Sequence, residues 1–199
     1  MLLKVVVLAL LGSVAACPAP THEQCAIPDA GAFGGGPGGS GGTTDGLEAE
    51  LVAADGSGNL ITLHDGDPVP LMRAPQGGHI LLVGARVHSD DTCDLDATGS
   101  LRDLATNRVI GLDERTLYVT ATGDGWAAPE QPVDLNAMPN VAVCPTSATT
   151  AAVEGNPYQL EVAISSNGSQ VADLEITAIP TCAPDDTYCM TECGPSAGP

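Results

Sequence analysis

Four aspartates crowd the segment HSDDTCDLDATG: Asp90, Asp91, Asp94 and Asp96. Carboxylates packed this closely are the donors that hard cations take, and Asp94-x-Asp96-x-Thr98-Gly99 copies the opening of an EF-hand calcium loop. The copy stops where the loop's bidentate glutamate belongs, because the twelfth position is Ala105. A solvated acidic loop tethered by Cys93 is the preferred reading, with weak calcium binding by Asp91, Asp94 and Asp96 as its alternative.

His64, His79 and His88, with Met72, carry the nitrogen and sulfur donors of a copper or zinc site. No close spacing joins them, so each is read as a surface or strand-end histidine, His79 hydrogen-bonding the Pro75-Gln76-Gly77-Gly78 turn that precedes it. Nothing marks a catalytic nucleophile. Gly38-Gly39-Ser40-Gly41-Gly42 matches G-x-S-x-G, but the real motif needs a strand before the serine and a helix after it, and polyglycine supplies neither. Asp65-Gly66-Asp67 and Asp124 between its two glycines read as turns. One Trp, three Tyr and one Phe make no stacking platform for sugars; Trp126 is expected to cap the open end of the core. Asn167-Gly168-Ser169 is taken as a hairpin turn rather than a glycosylation site.

The N-terminus gives these groups a compartment. Residues 1–16, MLLKVVVLALLGSVAA, hold one basic residue, an apolar run and small residues, the pattern of a secretory signal. Val14-Ala15-Ala16-Cys17 resembles the bacterial lipobox, and that resemblance implies acylation of Cys17 as the first residue of the mature chain; ordinary cleavage near Ala16 is the alternative. Several acyl chains, at about 0.8 kcal/mol per buried methylene, hold a domain on a membrane where one chain does not. Pro18 in place of an aspartate after the cysteine favours the outer membrane. With Cys17 lipidated, six of the seven cysteines remain: Cys25, Cys93, Cys144, Cys182, Cys189 and Cys193, an even set suited to disulfides. Fifteen connectivities are open. The expectation is Cys93 with Cys144, and the cysteines of CAPDDTYCMTEC paired among themselves or with Cys25. That tail has three thiols and no nearby histidine, which speaks against structural zinc.

Charge narrows the partners. Acidic residues number 25 against six basic ones, for a formal net charge of −19, and Lys4 is the only lysine. Such a surface repels phosphate backbones and anionic lipid, so no nucleic-acid partner is expected. The acidity also keeps an exported domain soluble.

The elements that must carry these residues read as strands. Residues 17–46 form a Gly/Pro-rich tether without periodicity, expected to be disordered. From Leu47 to Thr181, period-two runs alternate with turns: Leu47 to Ala53, Asn59 to His64, Val69 to Met72, His79 to Ser89, Leu101 to Leu104 with Val109 to Gly111, Thr116 to Thr122, and short pieces either side of Pro139. Leu81, Val83, Ala85 and Val87 oppose Ile80, Leu82, Gly84, Arg86 and His88, which predicts a strand central at its start and solvated at its end. Tyr158 to Ile164 and Ala172 to Ala178 alternate around Asn167-Gly168, a tight-hairpin signature. Helical periodicity is nowhere sustained. Eight or nine short strands predict an all-β, disulfide-stapled antiparallel β-sandwich of immunoglobulin or fibronectin III type, with a closed barrel as the alternative and residues 182–199 a Cys-rich tail.

Lipobox, glycine-rich spacer, the Asp65 to His79 stretch DGDPVPLMRAPQGGH and the terminal hairpin YQLEVAISSNGSQVADLEITAIPTC together resemble predicted lipoproteins abundant in myxobacterial genomes. The resemblance implies an Ig-like fold and no activity, cofactor or site. The function expected is therefore a non-enzymatic cell-envelope lipoprotein, an adhesion, scaffold or protein-interaction module. Its membrane contact is the lipid anchor and its partner an envelope protein. The alternative is a cation-binding lipoprotein, with calcium ahead of copper.

Overall fold

Alternation of apolar and polar side chains is the dominant local signal, and the chain answers it with strands. The computed structural model describes residues 47–89, 93–145 and 152–195; residues 1–46, with Cys17 and Cys25, and Asp90 and Asp91 lie outside these. The described residues form eleven strands: β1 (Ala49–Ala54), β2 (Leu60–Thr62), β3 (Pro68–Pro70), β4 (Met72–Arg73), β5 (His79–His88), β6 (Cys93–Asp103), β7 (Val109–Ala121), β8 (Trp126–Ala128), β9 (Asn140–Cys144), β10 (Tyr158–Ser166) and β11 (Ser169–Thr181). One helix among the described residues, α1 (Thr187–Cys193), follows.

The strands join in one hydrogen-bonded network in the order β2-β1-β5-β8-β7-β6-β10-β11-β3, with β4 and β9 also pairing to β5. All pairings are antiparallel except β11 with β3, so the sheet is mixed where an antiparallel one is expected. Pro68 and Pro70 on β3 explain its place at the margin, since proline has no N–H to give to a second neighbour. The expected Val69 to Met72 strand divides into β3 and β4, while two expected strands merge into the thirteen-residue β7.

β5 is the hub. It pairs with β1, β4, β8 and β9, and every residue from His79 to Ala85 is buried, whereas Arg86 is partly buried and His88 exposed. The hairpins β6–β7 and β10–β11 supply the rest of the core with Leu95, Leu101, Leu117, Leu160, Ile164 and Leu174, each 2% exposed or less. Burying a side chain of this size stabilises by roughly 1.5–3 kcal/mol. Asn167 and Gly168 close the second hairpin with φ of 54° and 74°, the left-handed pair that matches strand twist.

Three strand glycines make room for the segment around β9. A Cβ on Gly84 would lie 2.8 Å from the Met138 sulfur, one on Gly99 would lie 2.9 Å from Val141, and one on Gly111 would run into the Ala142 carbonyl oxygen. Glycine in a strand interior often marks such an approach of another backbone. The segment is then pinned by Asp113, whose carboxylate accepts the Asn140 N–H at 2.7 Å and the Arg115 Nε–H at 2.6 Å.

The C-terminal residues are part of the same body. Cys182, Cys189 and Cys193 of the Cys-rich tail are buried in the core, and α1 forms within it although helical periodicity is nowhere sustained. Cys144 is bonded to Cys193, and Cys182 to Cys189. The expected Cys93–Cys144 bridge is therefore not formed. Cys93 is disulfide-bonded too, to none of these four. The register explains the change: Cys144 lies opposite His79 at the start of β5, under α1, whereas Cys93 opens β6 opposite Val119.

Candidate functional site

The residue with the most unusual surroundings is His79. The Gly77-Gly78 turn, closed by Ala74 N–H to the Gly78 carbonyl at 3.0 Å, turns the chain into β5 with His79 first. Gly78 has φ of 77°, and a Cβ there would lie 2.8 Å from the Cys144 carbonyl, so this turn requires glycine for both conformation and space. The His79 side chain is fully buried, and α1 closes over it.

Seven residues are too few for a helix stable in isolation, so α1 depends on what holds it. Asp186 caps its start, accepting the Cys189 N–H at 2.9 Å. Cys189 and Cys193, one turn apart, point inward and carry the two disulfides. Glu192 and Asp186 then reach His79 from the two ends of the helix: Glu192 Oε2 lies 3.1 Å from Nδ1 and Asp186 Oδ2 lies 3.7 Å from Nε2. His79 thus bonds the helix, not the preceding turn. Nε2 is buried without a hydrogen-bond partner.

A second tier completes the cluster. The Tyr188 ring stands 5.7 Å from the His79 ring, and the Arg73 guanidinium lies 4.5 Å over the Tyr188 ring. Hydrogen bonding of the Tyr188 hydroxyl to Glu192 raises its pKa above the ordinary tyrosine value. The Asp186 carboxyl is held below its ordinary value, first by the Cys189 N–H and then by the charge of His79. A His79 ring nitrogen and the sulfurs of Cys189 and Cys193 lie within 4.8 Å of one another. Both sulfurs are locked in disulfides, so the oxidised protein presents no thiolate to a metal. The ring is fully buried and faces the two carboxylates.

Asp94 and Asp96 lie inside β6, not in a loop. Both occupy outward positions two residues apart, opposite Tyr118 and Thr116 of β7, and the EF-hand resemblance of DLDATG is a coincidence of strand alternation. Among the described residues, neither belongs to a group of three converging histidine, cysteine or acidic ligands. Asp91, the third expected donor, lies outside the described residues, as do Cys17, Cys25 and the GGSGG match. His64 is exposed beside Asp67, 3.3 Å away. His88 stands edge-on to Trp126 at 5.6 Å, with the Arg86 guanidinium 4.6 Å over the same indole. The three histidines thus serve three separate environments, and Trp126 belongs to a surface stack on β8 rather than a cap on the core.

The outward positions of β7, β6, β10 and β11 form one face. It carries Glu114, Asp94, Asp96, Glu161, Asp173 and Glu175, with Glu161 directly opposite Glu175. At its β7 margin Leu112 is 62% and Tyr118 48% exposed. Asp186, Tyr188, Glu192 and Arg73 escaped the reading of the sequence; the available signal was an aspartate three residues before Cys189 and the one-turn spacing of Cys189 and Cys193. Comparison with protein-family models, with curated proteins and with solved structures finds no match.

Proposed function

We propose that this chain is a non-enzymatic, lipid-anchored lipoprotein of the cell envelope, its β-domain an immunoglobulin-like sandwich serving as an adhesion or scaffold module. The observation that carries the reading is the pairing of a stapled, closed core with the exposed β7–β6–β10–β11 face. A rigid sheet that presents Leu112 and Tyr118 beside charged residues has the makings of a recognition surface, since exposed aromatic and aliphatic groups supply contact energy and charges supply selectivity. The Val14-Ala15-Ala16-Cys17 motif supports the anchor and Pro18 supports the outer membrane. The likeness to myxobacterial lipoproteins belongs to the same reading. No helix among the described residues is long and apolar enough to cross a membrane; attachment in this reading rests on Cys17.

Site-specific photo-crosslinkers at positions 112 and 118, in intact cells, test the module. The expected outcome is a discrete envelope-protein adduct at these positions and none at exposed Ser57, in the turn between β1 and β2. Equal patterns at all three positions would contradict it.

A second reading, cation binding, is favoured by one observation: six carboxylates on that single face, two of them directly opposed. A melting curve of the oxidised domain with calcium, copper or EDTA separates the two, because a ligand of the native state raises its midpoint. Calcium stabilisation lost in Asp94→Asn/Asp96→Asn supports this second reading, and an unchanged midpoint in all conditions removes it.

A further inference from the structure

We infer that α1 is a pH-sensitive clamp, docked most firmly when His79 is protonated. An imidazolium has a donor on each ring nitrogen, and the structure places a carboxylate before each: Glu192 at 3.1 Å from Nδ1 and Asp186 at 3.7 Å from Nε2. A neutral ring has one donor only, so one carboxylate then faces a nitrogen lone pair of a fully buried ring. Charge-assisted hydrogen bonds are about twice as strong as neutral ones. Proton loss from His79 therefore weakens the hold on both ends of a helix that cannot persist alone.

Other ionisable groups also face the ring. From α1 these are Asp186, Glu192 and Tyr188; from β4, Arg73 reaches the far side of Tyr188. Asp186 is held below its ordinary value and Tyr188 above its own, and arginine keeps its charge throughout. The neighbouring sulfurs of Cys189 and Cys193 are in disulfides and do not titrate. Histidine is the side-chain type that ordinarily changes charge between about pH 5 and 8, and His79 is the histidine that faces both carboxylates. The disulfides set the limits of the motion: Cys182–Cys189 and Cys144–Cys193 keep α1 tethered, so the clamp loosens in place.

Hydrogen exchange on the oxidised domain, expressed as protection factors so that the chemical pH dependence cancels, tests the clamp. On going from about pH 5.5 to 8, protection of the α1 amides, Met190 and the Cys189 N–H that Asp186 accepts included, is expected to fall by on the order of tenfold. Amides of β10 and β11 should hold theirs. The fall should vanish in His79→Gln and persist in His64→Gln and His88→Gln. An undiminished fall in a folded His79→Gln protein, or constant α1 protection in the native one, would overturn the inference. Should His79→Gln fail to fold, the native protein decides: the midpoint of the α1 change must coincide with the His79 ring titration followed by NMR, and separate midpoints overturn it.

Discussion

His79 and Glu192 are 113 residues apart in the chain, and Nδ1 of one lies 3.1 Å from Oε2 of the other. Through this contact the first residue of the central strand holds the last turn of the only described helix. Removing the carboxylate in Glu192→Ala leaves a buried ring nitrogen without its partner, at a cost of about 1–3 kcal/mol. Glu192→Gln, which keeps an acceptor and loses the charge, should cost less. Urea unfolding midpoints of the three proteins at one pH check the order.

The two disulfides differ in the chain they close. Cys144–Cys193 spans 49 residues and Cys182–Cys189 spans seven. Chain entropy of the unfolded state then assigns about 4 kcal/mol to the first and about 2.5 kcal/mol to the second. Paired alanine substitutions at each bridge, compared by denaturant unfolding, should reproduce that ranking.

Gly111→Ala should destabilise by about 1–3 kcal/mol, because the added methyl meets the Ala142 carbonyl and β9 must move. Gly56→Ala is the control, with open space around its Cβ and no left-handed φ, and should lie within about 0.5 kcal/mol of the parent. Thermal melts of both variants measure the contrast.

Acid should unfold the domain through carboxylates whose hydrogen bonds favour ionisation. Asp103 is lowered chiefly by the Thr106 N–H, and Asp186 by the Cys189 N–H. A depressed folded pKa means that the stabilisation is complete above the ordinary aspartate value of 3.8 and drains away as pH falls through the lower folded value. Urea midpoints should therefore drop from about pH 5 to about pH 2. The drop should be smaller in Asp103→Asn, whose side chain no longer titrates.

Much of the fold is legible in the residues, and the exceptions have physical causes. The β10–β11 hairpin follows from uninterrupted alternation and Asn167-Gly168, and the central character of β5 from its two apolar faces. β7 reads as two strands because Asp113 and Arg115, which oppose Gly99 and Ala97, interrupt the apolar face at the point where they hold β9. Gly84, Gly99 and Gly111 look like turn or neutral positions until the segment they admit is in place. α1 is too short to show a period. Disulfide partners depend on how distant strands align, which no local pattern encodes, and Asp94 and Asp96 show that strand alternation alone can copy half of a calcium loop.

The central claim, a domain held at the envelope by its own N-terminal lipid, is tested most directly by intact and peptide mass spectrometry of the mature protein extracted from native membranes. The expected result is an N-terminal Cys17 carrying a diacylglyceryl thioether and an amide-linked acyl chain. A mature N-terminus at Cys17 or elsewhere without acyl mass would contradict it.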